Sequence, residues 1–402
     1  MENTVPTPAP YIARFEQNAL GMYVHFGLYS LLQKGEWAMH IHHIDKAEYR
    51  TLMERFAPGS MAEIVRVAKS AGCKYICLTT RHHDGFSLYD TCGLNEYDAP
   101  HSATGRDLVR EFVDECNKQG IMPYFYHTLL DWDHPSYKTD FPKYIDYLAR
   151  SIEILCTNYG KIGGFEFDGM WDRPDDDWQE DRLYGIIRKH QPEAMIINNT
   201  GLSELGKVGH PEIDSVTFER GQPSAVNQNG KPLAGEMAQI LNDHWGYAKH
   251  DINYKSMGTI LENLVDCRLC GCNFLLNVGP MGNGSVRPID AALLTELGGF
   301  IKVNHGFIYG SQVADIEADG ASVLKNGKYY YAIVKGVRMT SNPNVVMPGK
   351  DVEVKILTDK KVKNARWLDS GRAQAIKKNS FIARPYLYGE SYGIRVLRFE
   401  LV

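Results

Sequence analysis

Through residue 305 the chain repeats one pattern: a short apolar or β-branched run, then an amphipathic stretch, then another such run. The runs "GMYVHFGLYS", "KYICLTT", "IMPYFYHTLL", "GGFEFDGM", "AMIINNT", "DSVTFER" and "NFLLNVGP" have the length and residue types of strands. Between them, "MAEIVRVAKSAG" and "RDLVREFVDECNKQG" place apolar residues three and four apart and close on glycine, a helix stop. "YIDYLARSIEILCTNYG" is a further helix candidate, and "GEMAQILNDHWGY" reads as a helix that begins near Glu236. Successive strands separated by helices pair in parallel, because the helix carries the chain back to the starting edge. Seven or eight such units over about 300 residues suit a (β/α)8-like barrel. A doubly wound sheet is the rival, but the Gly-x-Gly-x-x-Gly phosphate turn that would favour it is missing.

After residue 306 the character changes. "KYYYAIVKG", "DVEVKIL", "NARWLDS" and "YGIRVLRFELV" are strand-like, "KNGK" and "DSGR" are turns, and nothing between them is helical in pattern. The expected organisation is a catalytic barrel over 1–305 and an antiparallel β-sandwich over 306–402. A formal charge of −5 over 402 residues offers no polybasic surface for nucleic acid or an anionic membrane. No run nears the roughly 18 apolar residues of a membrane span, and the first residues lack the pattern of a signal peptide. A cytoplasmic location is the expectation. Cys267, Cys270 and Cys272 in "CRLCGC", and the tract "HIHHID" at 40–45, resemble metal motifs. Neither supplies a closed ligand set, so both are read as structural, with no metal and no cofactor expected.

In a barrel of this kind, polar residues at the C-terminal ends of the strands face the active site. Collected on that basis, strand one supplies His25, and the loop after it Glu36 and Trp37. Strand two supplies His82 and His83, strand three Tyr126 and His127, strand four Asp168, and strand six Glu219. Two carboxylates on different strand ends, among histidines and aromatics, form the toolkit of glycoside hydrolysis. Adjacent strand residues face opposite sides, so His82 and His83 can both point inward only if the strand has already ended.

These segments resemble the α-L-fucosidases of glycoside hydrolase family 29 over most of the first 300 residues. "TTRHHDGFSLYDT" is similar to that family's T-x-K-H-H-D-G-F motif, and "GMYVHFGLYS", "LLDW", "HWGY" and "NFLLNVGPMGNGSV" match further stations in the same order. The resemblance implies a (β/α)8-like barrel followed by a β-sandwich. It implies Asp168 as nucleophile, His25, His82 and His83 as hydrogen-bond partners of fucose hydroxyls, Glu36 and Trp37 at a hydroxyl edge, and Tyr126 beside the nucleophile. Arg220 and Trp245 join the substrate-binding set. For the acid/base it leaves two glutamates. Glu219 aligns with a T-P-E station and is favoured because strand ends deliver catalytic groups; Glu236, upstream of "HWGY", is the alternative.

Two departures stand out. Relatives usually carry Trp two residues before the nucleophile, where this chain has Glu166, on the same strand face as Asp168 and so expected among the substrate-binding residues. The Asn-Asp-Arg station after strand five is here "NNT", 198–200, so Arg220 is the candidate to replace the missing arginine. The expected activity is a retaining, exo-acting α-L-fucosidase acting on fucosylated oligosaccharides or glycoconjugates. The alternatives are hydrolysis or transfer on a fucose-like sugar such as L-galactose, and a fucose-binding protein with impaired turnover. Homo-oligomerisation is compatible with the sequence.

Overall fold

The computed structural model describes residues 8–199, 205–228, 231–337, 339 and 349–402. Eight parallel strands close into a barrel: β1 (Leu20–Val24), β2 (Tyr75–Arg81), β3 (Met122–Thr128), β4 (Gly164–Asp168), β5 (Met195–Asn198), β6 (Ser215–Thr217), β7 (Ala234–Ile240) and β8 (Asn273–Val278). They pair in chain order, and β8 returns to β1, with Val24 opposite Val278. Helix α1 (Pro10–Glu16) precedes the barrel. Outside lie α2 (Ala62–Ala71), α3 (Leu108–Gln119), α4 (Phe141–Asn158), α5 (Glu180–His190), α6 (Met257–Leu269) and α7 (Pro288–Ile308). Among the described residues no helix separates β5 from β6 or β6 from β7, so the helical ring is incomplete on that side. None of the described helices is long and apolar enough to cross a membrane.

Local chemistry sets the helix limits. Asp107, Asp140 and Ser256 cap α3, α4 and α6 by accepting backbone N–H groups of Arg110, Lys143 and Thr259. Helices α2 and α3 stop at Gly72 and Gly120, both in the left-handed conformation. The strands are buried on both faces, which is why they read as continuous apolar runs.

Strand β7 corrects the sequence reading. The segment containing Glu236 is a strand, not the start of a helix. Ala, Glu, Met and Gln favour helix locally, but every residue of β7 is buried between two neighbouring strands, and that packing overrides propensity. Its alternate residues Ala234 and Ala238 join the barrel interior, while Met237 packs outward beneath the helices. Glu236 therefore points along the barrel axis, where Oε2 accepts the Tyr75 hydroxyl at 2.8 Å from across the barrel.

The floor of the barrel is aromatic. Tyr75 and Tyr124 meet across it at 5.0 Å, and Phe15 of α1 closes it from below at 5.4 and 5.7 Å. Two glycines make this possible. A Cβ on Gly21 would lie 2.3 Å from the Tyr75 ring, and one on Gly163 would lie 2.0 Å from the Tyr124 ring. Burying an aromatic of this size contributes roughly 1.5–3 kcal/mol, so the plug stabilises the barrel and shuts its lower end.

The C-terminal strands are β9 (Gln312–Val313), β10 (Glu317–Asp319), β11 (Ser322–Asn326), β12 (Tyr329–Lys335), β13 (Val352–Leu357), β14 (Val362–Trp367), β15 (Ser380–Ala383) and β16 (Ile394–Leu401). They form a five-stranded sheet in the order β9-β11-β12-β16-β14 and a three-stranded sheet β10-β13-β15. Strands β11 and β12 join through Gly327 and Lys328, with Gly327 at φ 57, as a two-residue hairpin requires. Val334, Val354, Ile356, Trp367, Phe381 and Phe399 fill the space between the sheets. The outer face of the larger sheet, with Leu324, Tyr331, Ile333 and Val396, is continuous with the barrel's helical layer.

Glu236 is fully buried with one oxygen unpartnered, and burial pushes its carboxyl up to about 7. The folded chain then holds a proton that the unfolded chain releases near its ordinary value, so this group's contribution to stability falls as pH rises from about 4.5 to about 7. Glu236→Gln keeps the shape and removes the ionisation. We expect Tm of the variant to exceed that of the wild type by a few degrees at pH 8 and the difference to vanish near pH 4, read by calorimetry.

Candidate active site

The site lies at the C-terminal mouth of the barrel, in a cavity of about 620 Å³ lined by residues at or just beyond the ends of seven of the eight strands. Strand β4 delivers Asp168. Its backbone carbonyl still accepts Leu129 N–H at 2.7 Å, and the chain then turns sharply at Gly169, φ 101. A Cβ on Gly169 would lie 2.6 Å from Leu130, so glycine is required directly after the acid. The turn brings Trp171 back over the carboxylate, whose Oδ1 accepts from the indole Nε1 at 2.9 Å while Oδ2 accepts the Tyr126 hydroxyl at 3.0 Å.

Both histidines after β2 reach the cavity. The β2–β3 register shifts between Thr79 and Arg81, and the strand ends at Arg81, which frees His82 and His83 from alternation. His82 stacks on Tyr126 at 5.6 Å. His83 shares a 2.7 Å hydrogen bond between Nδ1 and Thr128 Oγ1, and the Thr128 hydroxyl donates to the Leu130 carbonyl. Thr128 is thus an acceptor for His83, which places the proton on Nδ1 and leaves Nε2 bare. The same logic fixes His25. Its Nδ1 lies 2.7 Å from Asn277 Oδ1, and the Asn277 amide donates to the Trp245 carbonyl at 2.7 Å. Burial drives His25 and His83 down to about 3, so both are neutral. The 3.6 Å approach of His83 Nε2 to Asp168 is therefore not an ion pair, and both rings offer acceptor nitrogens to hydroxyl groups.

Glu219 lies two residues past the end of β6 and faces the cavity. Its Oε2 accepts from the Asn199 amide at 2.9 Å. Burial raises its pKa first, and the nearby charge of Asp168 raises it further, against smaller opposing effects of Asn199, Arg220 and Trp245. Asp168 is also raised by burial, but Trp171, Tyr126 and the Gly169 N–H all stabilise its anion. Both carboxyls are raised, but Asp168 has three donors on its anion while the charge of Asp168 itself adds to the rise at Glu219, so of the two Asp168 is the better-stabilised anion.

Glu36, Trp37, Arg220 and Trp245 complete the set that the structure brings together. Glu36 is buried and accepts the Gly246 N–H at 2.7 Å. Trp37 lies 5.6 Å from His83 and stacks with Trp171 at 6.2 Å. Arg220, at φ 54, donates to the Asp243 carbonyl at 2.5 Å and has its guanidinium 5.9 Å from the Trp245 ring. Thr200, the last residue of "NNT", lies outside the described residues.

Three expectations are corrected. Glu236 does not reach the cavity: it sits lower in the barrel against Tyr75, because the segment is a strand and its inward residue points at the axis. Glu166 likewise lies below the cavity rather than in its lining, since one strand layer separates it from Asp168. His127 points away from the cavity into the wall, with Nδ1 on its neighbour's carbonyl at 2.8 Å and Nε2 3.3 Å from the Tyr89 hydroxyl, because Tyr126 before it takes the inward face. Cys267 and Cys272 are buried in the packing of α6 and β7, with Cys267 Sγ 3.7 Å from Met237 Sδ. In the "HIHHID" tract, His40 stacks on Trp132 at 5.2 Å.

The sequence reading left Tyr23, Trp171, Asn199 and Asp243 out of the site. Tyr23 and Asn199 carried the signal of strand-end position. Trp171 stands three residues beyond the acid, a spacing that only the turn at Gly169 makes meaningful. Trp171→Phe removes one stabilising donor from the Asp168 anion. The acid limb of kcat/KM should move to higher pH and kcat/KM at neutral pH should fall about tenfold, since a hydrogen bond to a charged group contributes about 1.5–3 kcal/mol. A pH–rate profile measures both.

The comparisons agree with this geometry. A family model described as alpha-L-fucosidase matches residues 3–306. The tissue alpha-L-fucosidase of Bos taurus is 26% identical across 81% of this chain and 75% of its own. Alpha-L-fucosidase isoenzyme 1 from Paenibacillus thiaminolyticus is 30% identical and superposes with a TM-score of 0.85, covering 98% of this chain and 99% of that one. A Bacteroides thetaiotaomicron alpha-L-fucosidase, solved as a covalent intermediate trapped with 2-fluoro-fucosyl fluoride, shares the fold with a TM-score of 0.83 at 21% identity, covering 100% of this chain and 98% of that one. The match over the whole barrel places this chain in the α-L-fucosidase family of glycoside hydrolases.

Proposed function

We propose that the protein is a retaining, exo-acting α-L-fucosidase that releases terminal L-fucose from fucosylated oligosaccharides or glycoconjugates by double displacement. The observation that carries this reading is Asp168, held at a strand end by two side-chain donors and facing a cavity that Glu219 also lines. The aromatic plug shuts the barrel below that cavity, so a sugar enters from one side only. This supports action on a chain terminus. The covalent intermediate trapped on the Bacteroides relative supports retention.

In the first step an Asp168 oxygen attacks the anomeric carbon from the face opposite the leaving group. Glu219 protonates the glycosidic oxygen as its bond to that carbon breaks. In the second step Glu219, now ionised, takes a proton from water, the water oxygen bonds to the anomeric carbon, and the Asp168 ester is released. The bare Nε2 atoms of His25 and His83 accept sugar hydroxyls, Glu36 accepts another at the rim, and Tyr126 and Trp171 stabilise the carboxylate before attack and after release.

Asp168→Ala should lower kcat on an aryl α-L-fucoside at least about a thousandfold. Azide should restore part of the rate to Asp168→Gly and give the β-fucosyl azide, the product of one inversion. Turnover within tenfold of wild type in a folded Asp168→Ala would remove the nucleophile from this residue. Glu219→Ala should lose far more activity on a fucosylated disaccharide than on an activated aryl fucoside, whose leaving group needs little protonation. With azide it should form the α-fucosyl azide, because the fucosyl-enzyme is already inverted once. Equal, unrescued losses on both substrates would place the proton donor elsewhere.

A further inference from the structure

Below the two cavity carboxyls, the barrel repeats their arrangement. On β4 the order is Glu166 inward, Phe167 outward, Asp168 inward; on β6 and its extension it is Thr217 inward, Phe218 outward, Glu219 inward. Phe167 and Phe218 both lie in the helical layer, and Glu166 and Thr217 are 1% and 0% exposed. The Thr217 hydroxyl donates to Glu166 Oε1 at 3.3 Å, passing across β5, whose inward residue at this level, Ile197, is apolar. This hydrogen bond joins the two strands that carry Asp168 and Glu219, two residues before each. On the other side the Cys77 thiol of β2 lies 3.7 Å from Glu166 Oε2, so the carboxyl also braces the strand that delivers His82 and His83.

We propose that Glu166 is a positioning residue whose hydrogen bond with Thr217 fixes the spacing of Asp168 and Glu219. The proposal rests on the two-carboxyl reading above. Retaining chemistry needs those carboxyls about 5–5.5 Å apart, and misplacing a reacting group by about 1 Å costs on the order of a hundredfold in rate. Strand β6 has only three residues, and no helix among the described residues braces its connections to β5 and β7. A cross-strand tie from β4 supplies the constraint that a helix supplies elsewhere. Glu166 has no Lys, Arg or His nitrogen within ion-pair distance among the described residues, and burial together with Glu236 pushes its carboxyl well above the usual range. It therefore serves as an uncharged hydrogen-bonding group and leaves Asp168 as the anion at this end of the axis.

The test is steady-state kinetics on an aryl α-L-fucoside. Wild-type turnover is measured first, because its absence would fail the fucosidase reading itself rather than this proposal. Thr217→Val preserves shape and removes the donor; Glu166→Leu removes the acceptor; Glu166→Gln keeps an uncharged acceptor of the same length. The first two should lower kcat about 10- to 100-fold with KM within threefold, and the Thr217→Val/Glu166→Leu double variant should be no worse than the poorer single one. Glu166→Gln should retain kcat within about threefold. A Thr217→Val variant with wild-type kcat overturns the proposal, as does a Glu166→Gln variant as impaired as Glu166→Leu, or losses that multiply in the double variant. Should Glu166→Leu fail to fold by circular dichroism, the Thr217→Val and Glu166→Gln results decide alone.

Discussion

The structure depends on keeping one carboxylate ionised at the end of a buried strand. An unpaired charge in such a place costs several kcal/mol, and no Lys or Arg ion pair to Asp168 exists among the described residues. Its anion is held instead by neutral donors, the Trp171 indole, the Tyr126 hydroxyl and the Gly169 N–H. A lysine or arginine partner would oppose the effect of burial more strongly, by placing a full positive charge beside the anion. Neutral donors suit both the anion and the ester that the proposed mechanism would make of it. The histidines follow the same rule: burial keeps them uncharged, so they present acceptors to hydroxyls without competing for the carboxylate.

The architecture serves this arrangement from below. Tyr75, Tyr124 and Phe15 close the barrel floor, and the polar middle layer of Glu166, Thr217, Cys77 and Glu236 lies between that floor and the cavity. A middle layer of branched apolar residues is the usual filling of such a barrel. Here the two acids are paired with hydroxyl and thiol groups rather than cations. Burial raises both, Glu166 well above the usual carboxylate range and Glu236 to about 7, whereas the Asp168 anion in the cavity is stabilised by Trp171, Tyr126 and the Gly169 N–H.

Much of this was legible in the residues, for definable reasons. Strands buried on both faces, such as "KYICLTT" and "NFLLNVGP", announce themselves as short apolar runs, and amphipathic helices such as α2 and α3 carry their caps and stops in sequence. Acids and histidines after those runs then fall at the barrel mouth, which located Asp168, Glu219, His25, His82 and His83. Strand β7 was not legible, because its Glu, Ala, Met and Gln favour helix and only its two neighbours make it a strand. Glu236 was misplaced with it. His127 and Glu166 show the second limit: the end of a strand can be read to within a residue or two, but which layer a side chain occupies depends on register. Trp171 shows the third, since its contact with Asp168 is created by a turn whose direction no spacing encodes.

The central claim is that Asp168 forms a covalent bond to the anomeric carbon. Incubating the protein with 2-fluoro-fucosyl fluoride, which slows release of such an intermediate, and mapping the adduct by peptide mass spectrometry tests it directly. The account predicts loss of activity in step with the gain of one 2-fluoro-fucosyl group, carried by Asp168 in the peptide that spans β4. A label on Glu219 or another side chain, or full inactivation with no covalent adduct, would contradict it.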